Sequence, residues 1–179
     1  APITVPDCFV KRLSKIGTGN GEAKLYIAPK NVMYPFFGNE GFVAKCFLLK
    51  SDLLSYMNAL HSEYLNPSQP YQGADEMPKL WQERVAKIEA LPEVVEFNVS
   101  AQDQIAGPRG YVNSTDMGYE LIREISLPLV TYISVMQLAD CTSGETLYYW
   151  KLFADFETMS DKKAALVFTY GKKGDKTLP

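Results

Sequence analysis

The stretch "DFETMSDKK" (155–163) gathers Asp155, Glu157, Asp161 and Lys163. Acidic pairs with a lysine, ordered Asp then Asp/Glu-x-Lys, are what a metal-dependent nuclease uses to hold magnesium beside a scissile phosphate. The spacing here is poor, no partner strand supplies the first aspartate, and a solvated strand end followed by a charged turn accounts for the same letters. A small metal-dependent nuclease using Asp155, Glu157 and Lys163 is therefore kept as the alternative reading. A second candidate is "KRLSKIGTGNGEAKLYIAP" (11–29), with three glycines between Gly17 and Gly21. A Walker cradle needs GxxxxGK[ST] leading into a helix, and a dinucleotide fingerprint needs GxGxxG doing the same. This loop runs into a strand instead, which argues against nucleotide binding. His61, in "SYMNALHSEYL", completes no triad or metal set and reads as a helix-surface residue. Cys8, Cys46 and Cys141 are odd in number, far apart and without a CxxC, so they predict reduced, buried thiols rather than disulfides or zinc ligands.

What the glycine loop does carry is hydrogen-bonding side chains. Lys15, Thr18, Asn20, Glu22 and Lys24 are of the kinds that contact phosphates and base edges. Lys11, Arg12 and Lys30 add positive charge on its flanks. A later stretch, "GPRGYVNSTDMGYELIREI" (107–125), again sets glycines, small polar groups and an arginine between strand-like segments, and reads as a second loop. Two such loops on one barrel can form opposing jaws.

The elements that must position these groups follow from periodicity. "DCFVKRL" and "AKLYIAP" flank the glycine loop as a hairpin with a long tip, and "FVAKCFLLK" (42–50) reads as a buried strand. Leu53, Leu54, Met57 and Leu60 then take helical spacing, followed by the breaker-rich "NPSQPYQG". A second amphipathic helix, "PKLWQERVAKIEAL", starts on Pro78 and buries Leu80, Trp81, Val85, Ile88 and Leu91. Strand patterns return in "EVVEFNVS", "LPLVTYISVMQLAD", "ETLYYWKLFADF" and "AALVFTY", with "DCTSGE" (140–145) as a hairpin turn. The class is mostly β in α+β order, a barrel or sandwich carrying two helices.

The chain has 179 residues, 46% of them hydrophobic, which suffices for one domain with a sizeable core. No apolar run is long enough to span a membrane and the start lacks a secretion signal, so a soluble, intracellular protein is expected. Net charge is −3, but residues 1–50 hold seven Lys/Arg against three acids while residues 51–157 hold six against sixteen. An acidic body with a basic N-terminal third can still present a positive face to nucleic acid.

"FVKRLSKIGTGNGEAKLYIAP" resembles the opening of the N-terminal effector domain of EcoRII-like restriction endonucleases, where a KRLS strand leads through a glycine-rich loop into a strand containing LYIP. "YVNSTDMGY" is similar to that family's Tyr-x-Asn-Ser stretch, and "VMQLADCTSGETLYYW" is similar in pattern to its next hairpin. The family's base-reading histidine has no counterpart here, and the charged cluster of its second jaw is replaced by "YELIRE". The resemblance implies a plant B-three-type pseudobarrel of about seven strands and two or more helices over 1–171, with a helical segment at about 51–92. It implies a wrench-like grip on the major groove of double-stranded DNA, sequence-specific and sensitive to methylation. The jaw residues it implies are Lys11, Arg12, Ser14, Lys15, Thr18, Asn20, Glu22, Lys24, Tyr26 and Lys30 on one side. On the other are Arg109, Asn113, Ser114, Thr115, Asp116, Tyr119, Glu120 and Arg123. By the same resemblance the domain itself is non-catalytic and takes no cofactor, and residues 172–179 form a linker to a downstream, magnesium-dependent nuclease or other effector in a prokaryotic cytoplasm. A protein-interaction barrel is the remaining alternative.

Overall fold

The computed structural model describes residues 3–12, 25–71, 74–102, 109–127, 130–154 and 176–177. Its strands are β1 (Ile3–Arg12), β2 (Leu25–Pro29), β3 (Val43–Leu49), β4 (Val94–Gln102), β5 (Arg109–Asn113), β6 (Tyr132–Asp140), β7 (Thr146–Phe153) and the short β8 (Lys176–Thr177). Its helices are α1 (Lys30–Phe37), α2 (Lys50–Ala59), α3 (His61–Leu65), α4 (Met77–Glu89) and α5 (Met117–Ile125). The protein is α+β: a curled mixed sheet, with a five-stranded body in the order β5-β4-β3-β7-β6, carries about five helices. β2 continues the order beside β5, and β1 then β8 continue it beyond β6. β3 runs parallel to β7, while every other pairing is antiparallel.

Alternation along the strands decides which face is buried. Ala44, Cys46 and Leu48 of β3 point inward, joined by Val95, Phe97 and Val99 of β4 and by Tyr148, Trp150 and Leu152 of β7. The helices close this face: α5 packs on β4, α2 on β7 and α4, and α1 on β2 and β5. Leu53, Tyr56 and Met57 from α2, Ile88 from α4, and Leu121, Ile122 and Ile125 from α5 complete the core around Trp150. Among the described residues no helix is long and apolar enough to cross a membrane.

Three sequence expectations are corrected. The segments flanking the glycine loop do not pair as a hairpin among the described residues: β1 pairs with β6 and β8, and β2 with β5. Their strand patterns were sound, but pairing is a tertiary choice that periodicity does not encode. The stretch 107–125 is not one loop, because its second half is α5. Cys141 is exposed at the β6–β7 turn rather than buried. That turn itself forms where "DCTSGE" places it. The Gly144 amide donates to the Asp140 carbonyl (2.8 Å), Gly144 takes φ +74°, and the Asp140 carboxylate accepts the Thr142 amide (2.8 Å).

A buried polar cluster pins the C-terminal end of α5. The Tyr64 hydroxyl donates to the Ile125 carbonyl (3.0 Å) and accepts from Arg84 Nη1 (2.6 Å), whose guanidinium also lies over the Tyr64 ring. Arg84 is only 4% exposed. Nearby, the Tyr56 and Thr131 hydroxyls are 2.7 Å apart, and Thr131 Oγ1 donates to the Leu127 carbonyl (2.7 Å). The Ile125 carbonyl at the end of α5 thus accepts from hydroxyls of α2 (Tyr56, 3.3 Å) and α3 (Tyr64), while Arg84 of α4 holds the Tyr64 hydroxyl.

Candidate functional site

The polar sequence after β5 folds into a compact turn between β5 and α5. Asn113 Oδ1 accepts the Ser114 amide (2.8 Å), and Ser114 Oγ accepts the Asp116 amide (3.1 Å). The Asp116 carboxylate reaches across to accept the Asn98 amide of β4 (2.6 Å). Asn113 Nδ2 donates weakly to Gln102 Oε1 (3.4 Å). Asn, Ser and Asp favour such local bonds over continuing a strand, which explains why β5 stops at Asn113. The result is a shallow cavity of about 320 Å³ lined by Asn98, Ser100, Gln102 and residues 113–116, with Val43 as its apolar edge. Thr115 is exposed, and Asn113, Ser114 and Asp116 are partly so.

Strand register determines what meets this turn. Leu25 pairs with Val112, so the residue at which β2 begins, immediately after the glycine-rich segment, lies alongside β5 one step before Asn113. Tyr26 pairs with Tyr111 and Pro29 with Arg109, which sets the start of α1, at Lys30, next to the start of β5. At the other side of the sheet Arg12, the last residue of β1, pairs with Tyr132. Lys11, Arg12, Tyr26 and Arg109 are therefore placed by backbone register. Ser14, Lys15, Thr18, Asn20, Glu22 and Lys24 lie outside the described residues, as do Asp155, Glu157, Asp161 and Lys163.

The remaining predicted contacts divide. Tyr119 is completely buried, and its hydroxyl donates to the Val112 carbonyl (3.1 Å), so it braces α5 against β5 instead of facing a ligand. Helical spacing explains the error: Tyr119, Ile122 and Ile125 follow one another on a single inward face. Glu120 is exposed on α5 and accepts both bonds from Arg123 Nη1 (3.0 Å each), so the two charges largely neutralise each other. Sequence reading missed the two residues that position the turn, Asn98 and Gln102. Both belong to a strand whose alternation was legible, and outward-facing amides beside a polar turn were the available signal.

Burial and hydrogen bonding shift the titration of groups away from this turn. Burial pushes the Cys46 thiol up to about 12, so it is an unreactive core thiol. Glu63, despite partial burial, is held below the usual carboxylate range by the Ser68 hydroxyl and amide and by the Tyr71 hydroxyl. Among the described residues no group of three or more His, Cys, Asp or Glu side chains is arranged to hold a metal ion. His61 is exposed and stacks on Trp81 at 3.9 Å between ring centroids.

The arrangement offers amides, hydroxyls and one carboxylate, hydrogen-bond donors and acceptors, on a turn adjoining the end of a basic, glycine-rich segment. No protein-family model, curated protein or solved structure matches this chain.

Proposed function

We propose that the chain is a sequence-specific recognition domain for double-stranded DNA, a pseudobarrel of the plant B-three type that serves a restriction endonuclease. The observation that carries this reading is the pairing of Leu25 with Val112, which joins the end of the glycine-rich segment to the polar turn at Asn113–Asp116. The resemblance of "KRLSKIGTGNGEAKLYIAP" and "YVNSTDMGY" to the effector domains of EcoRII-like enzymes supports the same assignment. In this proposal one jaw is the segment 13–24 with its basic flanks Lys11, Arg12 and Lys30. The other is the β5–α5 turn, with Arg109 at the far end of β5. Lysines and arginines contact phosphates and set the register, while Asn20, Glu22 and Asn113 read base edges. The magnesium-dependent cutting step belongs to a downstream domain in the same polypeptide.

Selection of bound duplexes from a random pool that includes methylated DNA tests the proposal. A single enriched motif is expected. Asn20→Ala or Asn113→Ala should relax preference at one position at a cost of about 1–3 kcal/mol, whereas Lys15→Ala should weaken all sequences alike. An unenriched pool contradicts sequence-specific recognition.

A further inference from the structure

β4 is paired unevenly on its two sides. Against β3 it is paired from Val94, opposite Leu49, to Ser100, opposite Val43, but against β5 only Ser100, Ala101 and Gln102 are paired. β5 ends at Asn113, so among the described residues no strand lies beside residues 94–98 on that side. Successive residues of an antiparallel strand direct their N–H and C=O groups to alternate sides. Asn98 directs its amide away from β3, where the Asp116 carboxylate accepts it (2.6 Å). Glu96 and Val94 share that phase, so each presents an N–H and a C=O to the open side. Both residues are exposed, while Val95 and Phe97 between them are buried on the other face. A strand edge of this kind is a template for a further strand.

Charge decides which strand fits. Glu96 forms no ion pair among the described residues, and Lys45, its neighbour on β3, is already bound to Glu145 at 2.7 Å. Glu93, just before β4, adds a second exposed carboxylate, 3.9 Å from Lys50. An acidic edge favours a positively charged occupant. It disfavours a second copy of this chain, because two-fold pairing through the edge brings Glu93 and Glu96 of both copies together. The polar turn bounds the edge, since Asp116 has taken the Asn98 amide and leaves Val94 and Glu96 as the open donors.

We infer that the open edge of β4 takes up an extended, basic segment of a partner protein as an added antiparallel strand, in the place that β5 vacates at Asn113. A Lys or Arg of that segment stands opposite Glu96 and exchanges both backbone bonds with it, and the alternate, apolar side chains lie on the face of Val95 and Phe97. The inference does not rest on the DNA reading. Its probe is a short labelled peptide alternating lysine and valine, with a valine–glutamate peptide as its counterpart. The lysine–valine peptide should bind. In this register its lysine N–H groups face β4 and its valine N–H groups face away, so N-methylation at the lysines should weaken binding at least about tenfold and N-methylation at the valines less than about twofold. Glu96→Lys should weaken it at least about fivefold. Glu83→Lys, on α4, should leave it within about twofold. Glu96 is exposed, so circular dichroism should show Glu96→Lys folded like the parent. On binding, hydrogen exchange at the Glu96 amide should slow, while the amides of Val95 and Phe97, which face β3, change little. No binding, equal binding of the valine–glutamate peptide, loss on valine rather than lysine methylation or on neither, an equal loss in Glu83→Lys, unchanged exchange at Glu96, or self-association of the chain abolished by Glu96→Lys would each overturn the inference.

Discussion

A methyl group at Gly118 would lie 2.8 Å from Phe97 Cδ1 and 3.1 Å from its Cβ. Phe97 is itself buried and sits edge-on to Trp150 at 5.5 Å, so it has little room to yield. Gly118→Ala should therefore destabilise by about 1–3 kcal/mol, the usual cost of overpacking, as read from urea unfolding. A glycine in a run with Ser, Thr and Asp suggests a loop, and that inference hid α5. Here glycine is required by close approach to a ring, information that only the packed structure holds. Cys46 allows a second test. With its thiol raised to about 12, iodoacetamide at about pH 8 should label exposed Cys141 in the native protein and leave Cys46 unmodified until unfolding, as peptide mass mapping would show. Glu63 sets a pH dependence. Its folded-state pKa is depressed, so its contribution is present above the ordinary carboxylate range and disappears as pH falls through the folded value. Glu63→Gln should lower the urea midpoint at about pH 7 and change it little at about pH 3.

At the scale of elements, α5 matters most, because it follows the polar turn directly and buries Tyr119, Leu121, Ile122 and Ile125. Its end is held by Tyr64 and Arg84, a link between three helices. Tyr64→Phe would keep the packing but remove the oxygen that accepts from Arg84 and donates to Ile125. A cost of about 1–3 kcal/mol is expected from the buried groups left without partners, measured by chemical denaturation. Residue type did not announce this cluster: Leu80, Trp81, Val85 and Ile88 of α4, with Leu91 just beyond it, were legible as the packing side, but burial of Arg84 on that helix was not. β3, β4 and β7 were legible for the opposite reason, since period-two alternation survives into the sheet. α1 escaped notice because Pro35 sits inside it, and its aromatic pair Phe36 and Phe37 packs on Tyr148 instead of following a clear helical stripe.

At the scale of the whole molecule, charge and topology belong together. The basic N-terminal third enters the sheet through β1 at one side and β2 at the other, and β2 returns beside the polar turn. The composition showed the charge asymmetry. Where each charge lies required the pairing of β2 with β5, which joins residues nearly ninety apart in sequence and has no local signature. If the carboxylates near 155–163 are a solvated segment and not a metal site, alanine at Asp155, Glu157 and Asp161 together should leave DNA affinity within about 1 kcal/mol. Nicking of a supercoiled plasmid by the purified chain with magnesium, lost in Asp155→Ala, would instead favour the small nuclease. DNA recognition itself is tested most directly by fluorescence anisotropy of a duplex titrated with the chain at several salt concentrations. If Lys11, Arg12, Lys15, Lys24 and Lys30 contact phosphates as proposed, affinity falls at least about tenfold between roughly 50 mM and 200 mM salt, because bound counterions are released on association. Equal affinity at the two salt concentrations, or no binding at the lower one, would contradict it.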